Sequence, residues 1–442
     1  MITGIRLKAS PTKQQKAILS QWMGCARFIW NAKCATDKAQ KVLLAQEGQF
    51  PPVNQTYTQY KNKATTPWLY HCPSVILRNS VSNWYKTYRN FLKKRCSRPR
   101  HKHKDGSGSI YLTRELFAFI KGEDGVTRLF IGGKKHALGH LVIKNHRSYR
   151  LPGSIYIKKQ HSDYWVSFCY EDTQKTPATH TPQQQLQSLR KKGEAYLAKH
   201  TIGIDRGVVR PLQCSNQTTA YDLTPGEKVN KAYLEKRKLH YQKKLSRQQK
   251  GSNRRYHTKI KLARRHRCIA GIRNNFCHQV SRKIVDQPTT KVIVLEDLGI
   301  KRMTRRPKPK QDAYGNYLPN RAKAKAGLNR GILDKCWHKL ATYLTYKAHQ
   351  LDKVVYKVAP NHTSQECAHC HHIHPHNRKS QHTFCCTRCG HTDNADLNAA
   401  KVIQWRAIQL ILNSGTELSA RGVLSLADMG CGANVRRKQA LG

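Results

Sequence analysis

Two pairs of cysteines constrain this chain's local fold more tightly than any other stretch: Cys367-x2-Cys370 and Cys386-x2-Cys389, with 15 residues between the inner members. Thiolates two residues apart can converge on one cation, and a second such pair after a short connection completes a tetrahedral site with the spacing of a zinc ribbon. One structural Zn2+ is therefore expected on Cys367, Cys370, Cys386 and Cys389. Cys385 and the histidines at 369, 371, 372, 374, 376 and 382 crowd the same stretch, so exchange of one ligand stays open. The ten other cysteines are scattered singly, which is not the pattern of a secreted disulfide framework and suits a reducing compartment.

The 442 residues exceed the usual single-domain length, so two or three modules with separate cores are expected. Lys and Arg number 81 against 25 Asp and Glu, a formal charge of +56 that calls for a polyanion. The charge runs along the whole chain, interleaved with aromatic and apolar residues. That pattern fits a folded nucleic-acid binder better than a basic tail or a membrane-surface protein. No apolar run of about 18 residues occurs and Met1–Lys16 lacks the apolar core of a signal peptide, so a cytoplasmic protein with no membrane partner is expected.

Along the chain, a strand over Gly4–Ala9 precedes a helix opened by Thr12 and Gln15 at capping-box spacing, with Ile18, Trp22, Cys25, Phe28 and Ile29 on one face. A second helix is expected from Ser74 to Lys94. Period-two alternation at Ile155 and Ile157, then from Tyr164 to Tyr170, predicts a hairpin about His161-Ser162-Asp163 in a β-rich module. Residues 173–195 are polar and proline-containing at first, show no sheet or helix period before Gln184, and read as a linker. Beyond them Thr201–Asp205 and Lys291–Asp297 read as strands, with the partner of the first in 210–222. Residues 228–283 hold 19 Lys or Arg and one acid, which predicts two basic helices broken at Gly251-Ser252-Asn253. Residues 301–325 show no period and read as a mobile loop.

In so basic a chain the few acids are informative. Asp205 ends the apolar run TIGID, Glu296 ends VIVLE, and Asp396 opens the helical pattern DLNAAKVIQW. Each alone is read as readily as a helix cap or an arginine partner. Together they form a group that could bind two Mg2+ ions, the arrangement that stabilises both the attacking and the leaving oxygen in phosphodiester cleavage. Arg254, Arg255, Lys259, Lys261, Arg264, Arg265 and Arg267 make a ladder so dense that phosphate contact explains it better than a solvated face.

The segments RLKASPTKQQKAILSQWMGCARFIWN, CPSVILRNSVSNWYKTYRNF, GIDRGVVRPL, LSRQQKGSNRR, VIVLEDL, NRGILDKCW, TSQECAHC, FCCTRCG, NADLNAA and GANVRRK occur in the order found in the OrfB/TnpB family of insertion-sequence proteins, which the chain resembles over essentially its full length. The resemblance implies a multidomain α/β fold. A split β-barrel, oligonucleotide-binding-like and wedge-like (1–10 and 97–172), would hold a helical recognition insert (11–96). After the linker would come a RuvC-like nuclease domain of RNase H type (196–365 and 391–412), with a zinc ribbon inserted (366–390) and a tail at 413–442. It further implies a guide RNA from the transposon end, one per monomer, and a double-stranded DNA target cut on both strands, with Asp205, Glu296 and Asp396 as the catalytic metal ligands. A short DNA motif would be read near Tyr57, Lys61, Arg78, Asn79 and Asn83. Asn275 and Cys385 depart from the family pattern. The rival readings are a nuclease-inactive RNA-guided repressor, a strand-transfer transposase and a CRISPR-associated type V effector.

Overall fold

The computed structural model describes residues 2–47, 55–104, 107–121, 126–133, 135–146, 148–160, 162–172, 180–217 and 220–413. His161 of the expected turn, residues 173–179 of the expected linker, and the tail from 414 with its GANVRRK segment lie outside them. The chain divides after Lys175 into two compact units.

In the first unit, β1 (Ile2–Ala9) buries Ile5, Leu7 and Ala9 at every second position. The capping box then opens α1 (Lys13–Glu47): the Gln15 amide donates to Thr12 Oγ1 at 3.2 Å and the Thr12 amide to Gln15 Oε1 at 3.1 Å. α2 (Ser74–Leu92) packs beside it, with the Ser80 hydroxyl donating to the Ala26 carbonyl at 2.6 Å. Six strands follow: β2 (Ser107–Thr113), β3 (Phe117–Lys121), β4 (Thr127–Gly132), β5 (Ala137–Lys144), β6 (Ser154–Gln160) and β7 (Asp163–Glu171). They join β1 in a seven-stranded antiparallel sheet ordered β2-β6-β7-β1-β5-β4-β3. β1 therefore sits inside the sheet although both helices separate it from the other strands in sequence. One core holds sheet and helices, with Trp22, Ile29 and Leu77 against Leu7, Ile110 and Val166.

The second unit opens with a departure from the sequence reading. Residues 182–195, expected in the linker, fold into α3 (Pro182–Arg190) and the start of α4 (Gly193–His200). Thr181 and Gln184 form a capping box, and Leu186, Leu189 and Leu197 are buried. The sheet comprises β8 (Thr201–Asp205), β9 (Gln213–Cys214), β10 (Val292–Glu296) and β13 (Val354–Val358), ordered β13-β10-β8-β9. β13, β10 and β8 are parallel, while β9, only two residues of the partner expected in 210–222, is antiparallel. Between β9 and β10 run α5 (Pro225–Arg247) and α6 (Asn253–Val285), the two basic helices, broken at Gly251 where φ is +87°.

After β10 come α7 (Ile300–Met303), a hairpin of β11 (Lys310–Gln311) and β12 (Tyr317–Leu318), α8 (Ala322–Asp334) and α9 (Trp337–Gln350). The stretch 301–325, read from the sequence as an aperiodic mobile loop, thus holds a hairpin and the start of a helix. β14 (Thr383–Cys385), β15 (Thr392–Asn394) and α10 (Ala395–Asn413) complete the unit. Alternate residues of the buried strands face opposite layers. Ile202, Ile204, Ile293, Leu295 and Val355 meet α6 and α9, whereas Val292, Val294, Val354 and Tyr356 meet α3, α4 and α10. No helix among the described residues is long and apolar enough to cross a membrane.

Candidate active site and metal centre

β8 and β10 run parallel with Ile204 opposite Leu295, so their last residues, Asp205 and Glu296, end neighbouring strands at the same sheet edge. Asp396 arrives from the first turn of α10, which lies directly on β8. Gly203 permits that approach: a Cβ there would stand 2.1 Å from the Ala400 carbonyl oxygen and 2.6 Å from the Gln404 amide nitrogen. The three acids are near enough to interact. Burial first, then the charges of Glu296 and Asp396, push the Asp205 carboxyl up to about 7. Burial also raises Glu296, opposed chiefly by the Thr363 hydroxyl, which donates to Glu296 Oε1 at 2.7 Å.

Two arginines adjoin the acids, and sequence reasoning singled out neither. Arg206 is 6% exposed, and one guanidinium nitrogen donates to the Glu296 carbonyl while its Nε has no hydrogen-bond partner. Arg378 Nη2 donates to Asp396 Oδ1 at 3.4 Å and to the Gln381 carbonyl at 3.2 Å. Arg206 directly follows Asp205, so adjacency was a usable signal. Nothing local pointed to Arg378, Thr363 or Gly203, because their roles depend on which distant segments meet.

The four cysteines form the one group among the described residues whose ligand atoms all lie within 4.8 Å of one another. Cys367 Sγ stands 3.7 Å from Cys389 Sγ, and Cys370 Sγ 3.6 Å from Cys386 Sγ. A tetrahedron with Zn–S bonds of about 2.3 Å has edges of about 3.8 Å, and these two distances match such edges. Cys385 is outside this group. His371 is occupied elsewhere, stacked 3.5 Å from the Trp405 ring with Nδ1 3.3 Å from Glu366 Oε1. Asn398, fully buried, fixes the first knuckle to α10: its Oδ1 accepts the Ala368 amide at 2.9 Å and its Nδ2 donates to the Glu366 carbonyl at 2.7 Å. Asn377 bridges the two knuckles, donating to the Gln365 and His372 carbonyls and accepting from the Thr387 amide.

Comparison with known proteins draws these features together. Residues 168–306 match an OrfB-type family profile described as "Probable transposase", residues 1–46 the "Helix-turn-helix domain" associated with it, and residues 337–403 a "Cas12f1-like, TNB domain". The chain belongs to the OrfB/TnpB family. Among relatives of this OrfB-family chain, "Putative RNA-guided DNA endonuclease InsQ" of Escherichia coli (strain K12) is 28% identical over 405 residues, 91% of either chain. A Streptomyces pristinaespiralis protein with the same description, apart from the name InsQ, is 25% identical over 404 residues, 89% of this chain and 86% of its own. The fold is also that of a solved structure, "Cryo-EM structure of the Cas12f1-sgRNA-target DNA complex". The TM-score is 0.54 at 13% identity, covering 91% of this chain and 98% of the other. Despite the profile's description, residues 2–47 here form a strand and one uninterrupted helix.

The OrfB-family chain places its expected nucleic-acid residues unevenly. On α6, Arg254, Lys259, Lys261 and Arg264 are exposed, and Arg265 and Arg267 half-buried. Arg255 serves the α5–α6 turn instead, donating to the Leu245 and Gln248 carbonyls. In the first unit Asn79 is buried and donates to the Tyr111 carbonyl at 3.2 Å, and Arg78 pairs with Glu115. Tyr57 packs on the core, and Lys61 Nζ lies 4.3 Å over the Tyr70 ring. Asn83 differs from these, because it lines a cleft of about 870 Å³ together with Arg27, Lys86, Asn90, Lys102 and Lys158. Within the cleft, the Lys102 Nζ lies 3.5 Å over the Trp30 ring.

Proposed function

We propose that this OrfB-family protein is an RNA-guided DNA endonuclease that hydrolyses phosphodiester bonds at Asp205, Glu296 and Asp396, in the cytoplasm of a bacterium. The observation that carries the reading is the convergence of three acids from β8, β10 and α10, where burial first and then the charges of Glu296 and Asp396 raise the Asp205 carboxyl to about 7. Buried carboxylates that repel one another are stabilised by a cation, and their hard oxygen donors suit Mg2+. When bound there, two Mg2+ would supply an activated water and stabilisation of the departing 3′ oxygen. The protein's own groups prepare that site: Thr363 fixes the Glu296 carboxylate, Arg206 braces the end of β10 through its carbonyl, and Arg378 brings a fixed cation beside Asp396.

The remaining parts follow from charge and chemistry. The cysteine quartet holds one structural zinc in the ribbon 366–390. The exposed cations of α6 bind guide RNA, and the cleft beside Asn83 receives the DNA motif, with Lys102 on a phosphate. Asn79 and Arg78 support that cleft rather than read bases, since both are engaged within the fold. The seven-stranded sheet with its helical insert serves as the split barrel, and the three parallel strands flanked by helices as the RuvC-like domain.

The test compares guided cleavage and guided binding of matched DNA at fixed salt, with Mg2+ or EDTA. Asp205→Ala and Glu296→Gln should abolish cutting of both strands while binding stays near wild type, because each removes a metal ligand and leaves the basic surfaces intact. Cutting in EDTA, or persistent nicking by Asp205→Ala, would defeat the assignment.

A further inference from the structure

The hairpin 310–318 is organised more thoroughly than a connecting loop requires. The Asp312 carboxylate wraps its turn: Oδ1 accepts the Tyr314 amide at 2.9 Å and the Asn316 amide at 2.8 Å, and Oδ2 accepts Asn316 Nδ2 at 3.2 Å. The Asp312 amide donates to the Asn316 carbonyl at 3.0 Å, and Gly315 supplies the left-handed residue at φ +82°. At the stem, Asn320 Nδ2 donates to the Lys308 carbonyl at 3.0 Å, and Asn329 Nδ2 ties the Thr304 carbonyl to α8 at 2.9 Å.

This scaffold holds two aromatic rings in water. Tyr314 at the turn is 91% exposed and Tyr317 on β12 is 75% exposed. Strands of two residues have no core to bury them in, so folding does not demand tyrosine at either place. The surroundings are of one sign: Lys301, Arg302, Arg305, Arg306, Lys308 and Lys310 are all exposed. Asp312 is the lone acid between Asp297 and Asp334, and its carboxylate is taken up by the turn. Aromatic faces held in a fixed turn amid cations are the components of a single-strand platform, where bases stack on rings and lysines track phosphates.

We infer that the 310–318 hairpin is a stacking site for a single DNA strand, with Tyr314 and Tyr317 as the platforms. The choice of DNA rests on the nuclease reading above, because the hairpin belongs to the segment that leaves β10 directly after Glu296. A protein partner fits less well, since the hairpin's one acid, Asp312, is engaged in its turn and the charges left to meet a partner are all positive.

The experiment uses the full chain with its RNA bound and a fluorescent oligo-dT strand unrelated to the guide. Tyr314→Ala with Tyr317→Ala should weaken strand binding by about tenfold or more, whereas the paired Phe variants should bind like wild type. The salt slope should be unchanged by the Ala variants but should fall by about 0.7 for each of Lys308→Ala and Lys310→Ala. Wild-type affinity in the double Ala variant, equal losses in the Ala and Phe variants, or dependence on the tyrosines only for oligo-U would each overturn the inference. Tyrosine-dependent binding without guided cleavage by wild type removes the nuclease and keeps the platform; cleavage with tyrosine-independent binding does the reverse.

Discussion

Gly203 shows how a residue without a side chain can set the geometry of the three-acid site. An added methyl would meet the Ala400 carbonyl oxygen and the Gln404 amide, both helix backbone, so no rotamer change can relieve the contact and α10 must move off β8. Overpacking of this kind costs about 1–3 kcal/mol, occasionally more. Asp396 stands four residues before Ala400 on the same helix and would move with it, away from Asp205. Gly203→Ala is therefore expected to retain guided DNA binding and lose most cleavage. Ile202→Val, which faces the opposite layer and costs about 0.5–1.5 kcal/mol, should cut at an unchanged rate per bound complex. Measuring single-turnover cleavage alongside binding for the pair checks this, and normal cutting by Gly203→Ala would show that α10 tolerates the shift.

At the scale of elements, the cysteine knuckle and the helix bearing Asp396 are joined by specific bonds. Asn398 holds the backbone on either side of Cys367, and Arg406 donates to Glu366 Oε2 and to the Ala359 and Asn361 carbonyls. Zinc loss should therefore loosen the start of α10 as well as the ribbon. Elemental analysis should find about one zinc per chain, falling sharply in the Cys367→Ser, Cys389→Ser double variant. Amide exchange should then quicken over residues 395–400 while β10 stays protected; unchanged exchange there would mean that the ribbon is independent of the helix. The quartet, the strand-end acids and the basic helices were legible in the sequence because each is a local pattern: spacing, an apolar run closed by a carboxylate, one sign of charge at helical period. α3 was missed because its capping box, Thr181 to Gln184, lies in a polar stretch and only Leu186 and Leu189 betray its buried face. The hairpin 310–318 was missed because two-residue strands show no period, and its turn depends on one aspartate side chain. The role of Asn398 was unreadable for another reason, since its partners lie some 30 residues away and only the fold brings them together.

For the whole molecule the governing quantity is the +56 charge, which the chain's own acids leave largely uncompensated. Self-repulsion of that size opposes the compact state, and a bound polyanion or dissolved salt offsets it by different routes. In the reading proposed above, bound RNA would supply phosphates at the basic surfaces and stabilise the folded chain by mass action, favouring the native form over the unfolded one. Salt shortens the range of repulsion, from about 10 Å at 0.1 M to about 3 Å at 1 M, but it also weakens phosphate contacts by removing the gain from counterion release. The two forms should therefore respond to salt in opposite directions. Protein stripped of RNA should melt at a low temperature in dilute buffer and rise as salt is added, whereas the RNA complex should start higher and fall, the curves approaching each other near 1 M. Scanning calorimetry of both preparations across a salt series checks this. A stripped protein whose melting temperature equals that of the complex and does not move with salt would show that the fold carries its charge unaided, and that RNA binding contributes nothing to holding the chain folded.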